Sequence, residues 1–446
     1  MDRSRQDIRS IVASHCGLAN LDLIFWVHGS FNICIPVFID QPRQPLPKMA
    51  FRVPLPYKVG EDFYPGNCEE KLRCEAATYI WIGKNCPDVP IPTLRGFGVS
   101  GGLSPRVLTP WQRLKCFVWR LFSRVCGRTA FCDYIPHMRT AFLDHGYTLI
   151  DWIEGEDEQI LSDTFSPFHT ETQMQNLHKS MAKIIISLAK VPQPRIGSWT
   201  ISNDGQLSLP NRPLLRHLQQ LENWNIPSGI ARDTTYMSAD TLYLDLLASH
   251  DNRLRFQGNA IFDENDACRQ AADLVLMRAT LPQFTDSSLR DGPNIFVDRD
   301  WNIRHIIDIE WACSLPLENL LVPYWLTGER RYRQFTDAIR KEETDSPLYY
   351  KNTVYSLALT MDRAWDQRHY WYLNALETPK SLFNIFEDHL QPFYEEPPEK
   401  NLHAAVSPFW VSEMRSFIGS RLNDLAQYVQ EVRDIFNSDK SGEVYV

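Results

Sequence analysis

The chain has 446 residues, 43% of them hydrophobic and 23% charged, which leaves room for two or three domains with sizeable cores. Its net charge of −9 argues against nucleic acid as a partner, because that affinity needs a basic face. Ten cysteines without a C-x-x-C pair, no N-x-S/T sequon, no apolar run of bilayer length and a polar first stretch read as a reduced, cytoplasmic protein.

In chain order, residues 5–16 read as a short amphipathic helix. Residues 22–57 alternate in strand fashion as LDLIFWV, ICIPVFI and MAFRVPL, with a tight turn HGSFN at Gly29. A loop follows over 58–67. The apolar spacing of EEKLRCEAATYIWIGK predicts a helix over 69–84 packed on a sheet, and IPTLRGFGV reads as another strand. Residues 105–140 look like a helical insertion, with a basic amphipathic stretch TPWQRLKCFVWRLFSRVCGR. Packing on the protein is the plainer reading of that stretch and contact with a membrane surface the sharper one. YTLIDWIEG over 147–155 is strand-like and then turns. Helical patterns then dominate at 171–190, 211–222, 238–249 and 265–281, with HDNR at 250–253 ending a helix. They return at 329–342, 347–374, 380–390 and 407–437, after a hairpin over 294–311. This layout predicts an α+β chain of two lobes, an N-terminal lobe over 1–150 and a mainly helical C-terminal lobe over 151–446, with a cleft at their junction.

Three small constellations carry candidate chemistry. Gly29, Ser30 and Asn32 belong to a turn between strands, where glycine lets backbone N–H groups approach a phosphate; a plain hairpin turn is the simpler alternative. Arg52 on a strand, followed by Glu75 on the next helix, would place a fixed cation against phosphate oxygens; two solvated charges are the alternative. Asn294 and Asp308 open and close the hairpin NIFVDRDWNIRHIID. Two hard oxygen donors there suit Mg²⁺, and an Asp capping a strand end is the alternative. GFGVSG at 96–101 matches G-x-G-x-x-G, but prolines at 105 and 110 and no acid across 103–132 exclude a dinucleotide fingerprint.

Taken in order, GSFN, the Arg52 strand, EKLRCEAATYIW, IPTLRGFG, YTLIDWIEG and NIFVDRDWNIRHIIDIEWACSLP resemble the aminoglycoside phosphotransferase and choline kinase group. The large fungal branch is the closest match, and RIGSW, NRPL, YLDLLASHDNRLRFQ and PYWLTG resemble it too. The resemblance covers roughly residues 20 to 390 and implies a two-lobed, protein-kinase-like fold directed at ATP and Mg²⁺. It implies that Gly29 to Asn32 cover the phosphates and that Arg52, paired with Glu75, stands where a lysine is usual. It also implies that residues 150–153, with Asp151 and Ile153, meet adenine, and that Asn294 and Asp308 hold Mg²⁺. The acceptor would be a small hydroxylated molecule, and the acidic C-terminal lobe would suit a cationic one.

One position departs from the pattern. The family's catalytic loop places an Asp five residues before the Asn, to orient and deprotonate the acceptor hydroxyl. Here that position is Leu289. Asp291 is the nearest carboxylate, two residues late, and Asp286 is three early. The chain reads as if a strand and the catalytic loop had been removed together before NIFVD. A genuine loss and an incomplete gene model both explain this. As written, the chain is expected to be a kinase-like protein impaired in transfer; the alternative is a non-catalytic nucleotide-binding or scaffold pseudokinase. Either way the region 283–296 should be a locally weak part of the fold.

Overall fold

A computed structural model of the protein describes residues 2–16, 21–23, 27–39, 48–99, 103–105, 134–136, 146–155, 157–165, 169–284, 294–316, 328–350, 352–394 and 401–441, with isolated positions at 111, 114, 118 and 319. The chain is mixed α and β, with small antiparallel sheets and more helix than strand.

The first sheet is built from β1 (Leu21–Leu23), β2 (Val27–His28), β3 (Asn32–Ile39), β4 (Met49–Pro54), β5 (Leu94–Gly98), β6 (Leu103–Pro105), β7 (Tyr134–Pro136) and β8 (Tyr147–Asp151). Its order is β1-β3-β4-β8-β5-β6-β7, and β2 also lies along β3, so β1 and β2 form one interrupted edge. Alternation along the strands sorts side chains onto two faces. Met49 and Phe51 meet Ile8, Ile11 and Val12 of the helix Asp2–Cys16, together with Ile35, Val37, Tyr147 and Leu149. Ala50 faces the other way and packs with Ala76, Ala77, Tyr79 and Ile82 of the helix Asn67–Asn85. Arg52 shares the face of Ala50, so the pleat itself aims it at that helix.

The two strand glycines of GFG have a packing reason. A Cβ at Gly96 would lie 2.5 Å from the His15 ring, and the Tyr147 ring closes on Gly98 in the same way. They allow helix and ring to rest on the strand, and among the described residues the next element after the motif is the strand β6.

Beyond the sheet, β9 (Gln159–Ile160) joins β12 (Asn294–Val297) and β13 (Ile303–Ile307) in the order β13-β12-β9. The helix Glu171–Ala189 begins with a capping box, in which the Thr170 hydroxyl accepts from the Gln173 N–H while the Gln173 side chain accepts from the Thr170 N–H. It packs Met174, Leu177 and Ile185 against Ile295, Val297, Trp301 and the helix Glu329–Asp345. A second C-terminal core joins the helices Ala239–Phe256, Glu264–Thr280 and His369–Glu377.

Three expectations are corrected. Residues 211–222 are not one helix: β10 (Ser198–Ile201) and β11 (Leu207–Asn211) form a hairpin, and the helix waits until Arg216, beyond Pro213. Residues 347–374 divide into the hairpin β14 (Leu348–Tyr350) and β15 (Thr353–Tyr355), which turns at Asn352 with φ 66°, and the helices Leu357–Asp366 and His369–Glu377, which Arg368 separates with φ 65°. HDNR does not end a helix, because the helix runs on to Phe256.

The insertion over 105–140 lies mostly outside the described residues, and its part at Tyr134–Pro136 is not helical but the strand β7, paired with β6. Trp111, Leu114 and Val118 are exposed and three and four apart, on one helical face. Among the described residues no helix is long and apolar enough to cross a membrane. Cys34, Cys68, Cys74, Cys86, Cys268 and Cys313 form no disulfide. Leu289, Asp291, Asp286 and most of the region expected to be weak lie outside the described residues.

Candidate functional site

A buried charge cluster forms where the first sheet meets the end of the β12–β13 hairpin. Arg52 is 5% exposed and reaches three carboxylates. Its Nη1 is 2.5 Å from Glu75 Oε1, its Nη2 is 2.9 Å from Glu310 Oε2, and Nη2 also donates to Asp308 Oδ1. Lys71, one helical turn before Glu75, is completely buried. It donates to Asn32 Oδ1 at 2.8 Å and lies 3.4 Å from Glu310 Oε1. The Asn32 amide donates in turn to both oxygens of Glu310. Lys71 Nζ also lies over the Trp311 ring, which Phe31 meets edge-on.

Each member is there for a local reason. Lys71, Glu75, Thr78 and Ile82 fall on one face of their helix at spacings of three and four, so the pattern that buries Ile82 buries the charges too. Asp308 takes a left-handed backbone, φ 57°, at the end of β13. That turn sends Asp308 and Glu310 to the same guanidinium from two positions apart. Asn32 opens β3, where the turn closes with the Gly29 N–H donating to the Asn32 carbonyl at 2.9 Å.

The electrostatics are lopsided. Glu75, Asp308 and Glu310 face Arg52 and Lys71, an excess of one negative charge. Burial holds the Glu75 carboxyl above its ordinary range, although Arg52 pulls the other way. Burial also penalises charge on Glu310, but Lys71 and Arg52 together outweigh it and hold that carboxyl below the ordinary range. The two acids are therefore driven apart, one toward its neutral form and one firmly ionised. Burial would lower the guanidinium of Arg52, yet Glu75, Glu310 and Asp308 raise it well above its usual value.

The remaining sequence candidates are placed as follows. Gly29 and Ser30 are exposed at the turn beside this cluster. Asn32 points inward and is tied to Lys71 and Glu310. Asn294 starts β12 and pairs in register with Ile307, the residue before Asp308, so the two metal candidates begin and end neighbouring strands. Asp151 ends β8. Its side chain takes Arg95 at 2.6 and 3.0 Å, and its N–H donates to the Thr93 carbonyl. The Trp152 N–H donates to the Lys48 carbonyl, and Ile153 follows half-buried. Asp151, Trp152 and Ile153 line a shallow cavity of about 220 Å³ with Ile91, Pro92, Thr93, Glu154, Glu158 and His305.

Two residues of the cluster were not singled out from the sequence, Lys71 and Glu310. The available signals were Lys71 at i, i+4 from Glu75 and an acid two residues after Asp308.

A second buried ion network holds the helix Asn67–Asn85 from its other side. Arg212 forks between Glu70, at 2.9 and 2.9 Å, and Glu222, at 2.6 and 3.0 Å. Asn67 and Ser228 complete the bonds to Glu222. The helix that carries Lys71 and Glu75 is thus fixed in rotation by a fully paired ion set.

As for donor chemistry, Asp308 is the most open acid of the cluster, its side chain 31% exposed. A carboxylate oxygen is the hard donor type that a magnesium ion would take, and here Oδ1 accepts from Arg52. Compared with known proteins, the chain matches no family model and no curated relative.

Proposed function

We propose that this chain is a kinase-like, nucleotide-binding protein of the aminoglycoside phosphotransferase and choline kinase type. It holds Mg-ATP in the cleft between its lobes and is impaired in passing the phosphoryl group to a hydroxyl. The observation that carries this reading is the Arg52–Glu75 pair with Asp308 closing on it. In kinases a cation on the third strand pairs with a glutamate on the following helix, and an aspartate after a later hairpin completes the site. Counting β1 and β2 as one strand, β4 is the third, and Ala50-Phe51-Arg52 stands where that motif has Ala-x-Lys. The helix with Glu75 follows it after one short helical turn, Pro56–Val59, and β5 then pairs with β8 as the next hairpin strand would.

On this reading each residue has a distinct task. Arg52 presents a fork rather than a point charge to the phosphates. Glu75 and Glu310 hold that fork in one orientation, and Lys71 with Asn32 holds Glu310. Asp308 and Asn294 would hold Mg²⁺, which when bound neutralises phosphate charge. The turn at Gly29 and Ser30 covers the phosphates from above. The group that would take the acceptor proton is absent from its usual place, where Leu289 stands. Binding therefore survives where turnover does not.

The test is a melting curve with and without Mg-ATP, read beside an assay for phosphate release. The reading expects Mg-ATP to raise the Tm with no release above background, and Asp308→Ala to remove the part of the rise that depends on Mg²⁺. Unchanged nucleotide binding in Asp308→Ala would count against the whole site. Steady phosphate release would instead restore the catalytic reading and call for a search for the hydroxyl acceptor.

A further inference from the structure

The helix Glu264–Thr280 carries one carboxylate with no exposed surface. Asp273 is 0% exposed, and among the described residues no donor gives either of its oxygens a hydrogen bond. Buried carboxylates are paired or bound to metal, because leaving one bare is costly. Two further groups converge on it from distant parts of the chain. His403, on the short helix Leu402–Val406, puts Nε2 3.5 Å from Asp273 Oδ1. Glu387 puts Oε1 3.9 Å from the same nitrogen. All three donor atoms lie within 4.8 Å of one another.

The distances distinguish an ion pair from a ligand set. A charge-assisted bond between imidazolium and carboxylate closes to about 2.7–2.9 Å. Two ligands of one tetrahedral ion, each about 2.0–2.2 Å from it, stay about 3.3–3.6 Å apart. The pair at 3.5 Å fits the second case, and Glu387 needs only a small approach. Its other oxygen, Oε2, is held at 3.0 Å by Arg269, which also binds Asp266. That outer partner keeps Oε1 turned toward His403, as outer partners of metal ligands do. Glu387 sits in the π-helical turn Phe386–Leu390. Such turns are rare and gather at functional sites, because the extra residue re-aims one side chain.

We propose that Asp273, Glu387 and His403 form a divalent transition-metal site of the zinc class. An imidazole with two carboxylates suits zinc better than magnesium or calcium, which favour all-oxygen sets. Glu387 and His403 are about one-third exposed, so the site opens to solvent on one side, where water completes the coordination. Its ligands come from the helix Glu264–Thr280, the turn at Phe386–Leu390 and the helix Leu402–Val406. A bound ion therefore fastens the later segments onto the second C-terminal core. It stands apart from the Arg52 cluster, which packs with the first sheet.

The experiment uses the full chain, stripped with a chelator and titrated with Zn²⁺ and then Co²⁺, read by calorimetry, visible absorption and melting temperature. One equivalent should bind. The cobalt form should show d–d bands without thiolate charge transfer, which excludes the cysteines. Asp273→Asn and His403→Gln should each weaken binding at least about tenfold. Asp308→Ala should leave it intact, which separates this site from any magnesium site. Asp273→Asn also removes a buried charge that no hydrogen bond satisfies, so its metal-free form should melt no lower than the parent while losing the rise on adding zinc. If His403→Gln does not fold, Glu387→Gln replaces it. No stoichiometric binding, a thiolate spectrum, or binding unchanged in the variants would overturn the proposal and leave only an Asp–His ion pair.

Discussion

Asn32 and Glu310 are 278 positions apart and meet in the interior, the Asn32 amide donating to the two carboxylate oxygens at 3.1 and 3.3 Å. This contact joins the turn that opens β3 to the segment that closes the β12–β13 hairpin. The amide oxygen of Asn32 also accepts from Lys71, so one short side chain bridges sheet, helix and hairpin. An amide suits this place because it offers a donor to the acid and an acceptor to the amine at once.

The cluster around it should respond asymmetrically to mutation. Arg52→Met strands buried carboxylates and should cost about 3–5 kcal/mol in urea unfolding at neutral pH. Glu75→Gln should cost clearly less, because that carboxyl is already biased toward its neutral form. Its pH dependence has a defined sign. A folded pKa above the unfolded value adds stability below the unfolded pKa, and that stability is lost as pH rises through the folded one. Glu75→Gln should therefore flatten a decline in stability above the ordinary glutamate range. Glu310 has the opposite sign, so Glu310→Gln should remove a loss that the parent shows as pH falls below that range.

Much of this architecture is legible in the sequence, and the exceptions have physical reasons. The strands around Gly29 and the hairpin over 294–311 are readable because apolar alternation and turn residues coincide there. The hairpin Ser198–Asn211 was missed because its strands are short and half polar, although Asn203-Asp204-Gly205 marks the turn. The residues over 347–374 carry enough apolar repeats to pass for one helix, and only Asn352 and Arg368 in left-handed conformations break it. Arg52, Glu75 and Asp308 could be named as candidates, whereas Lys71 and Glu310 could not. A charge in an amphipathic stretch is assigned to solvent by default, and only the closed fold reveals which charges face each other.

Three buried histidines should make the protein sensitive to mild acid. Burial drives His178 and His250 down to about 4 and His217 to about 3. In the unfolded chain each would bind its proton near 6.5. The unfolded state then holds more protons through the interval between, so stability falls as pH drops below about 6.5. Each group contributes at most about 1.4 kcal/mol per pH unit. Urea midpoints at pH 7.5 and 5 should differ, and His217→Gln should shrink the difference. Equal midpoints at the two pH values would contradict the neutral, buried state of these rings.

Arg212 should control the site without touching it. Its fork between Glu70 and Glu222 fixes the helix that presents Lys71 and Glu75. Arg212→Met leaves Glu222 without its cation and Glu70 with only the partly exposed Arg232, and should cost about 3–5 kcal/mol. Arg212→Lys keeps the charge but cannot reach both acids with paired bonds, and should fall between. Adding Glu70→Gln to Arg212→Met should recover part of the loss, since one stranded charge goes with it. Strict additivity of the two changes in a double-mutant cycle would mean that the network does not act as a unit.

The last prediction concerns the chain itself. Trypsin cuts after Arg290 and Arg299, so the sequence as written yields DGPNIFVDR. Mass spectrometry of the protein from its native source should find that peptide. Its presence means that the stretch before Asn294 truly lacks an aspartate at the position of Leu289, and on the proposed reading the charge cluster would then serve binding without a base. A longer peptide that begins DGP and carries an Asp-containing loop before NIFVD would supply the missing base. On the proposed reading Arg52, Glu75 and Asp308 would then serve phosphoryl transfer, with that aspartate as the proton acceptor.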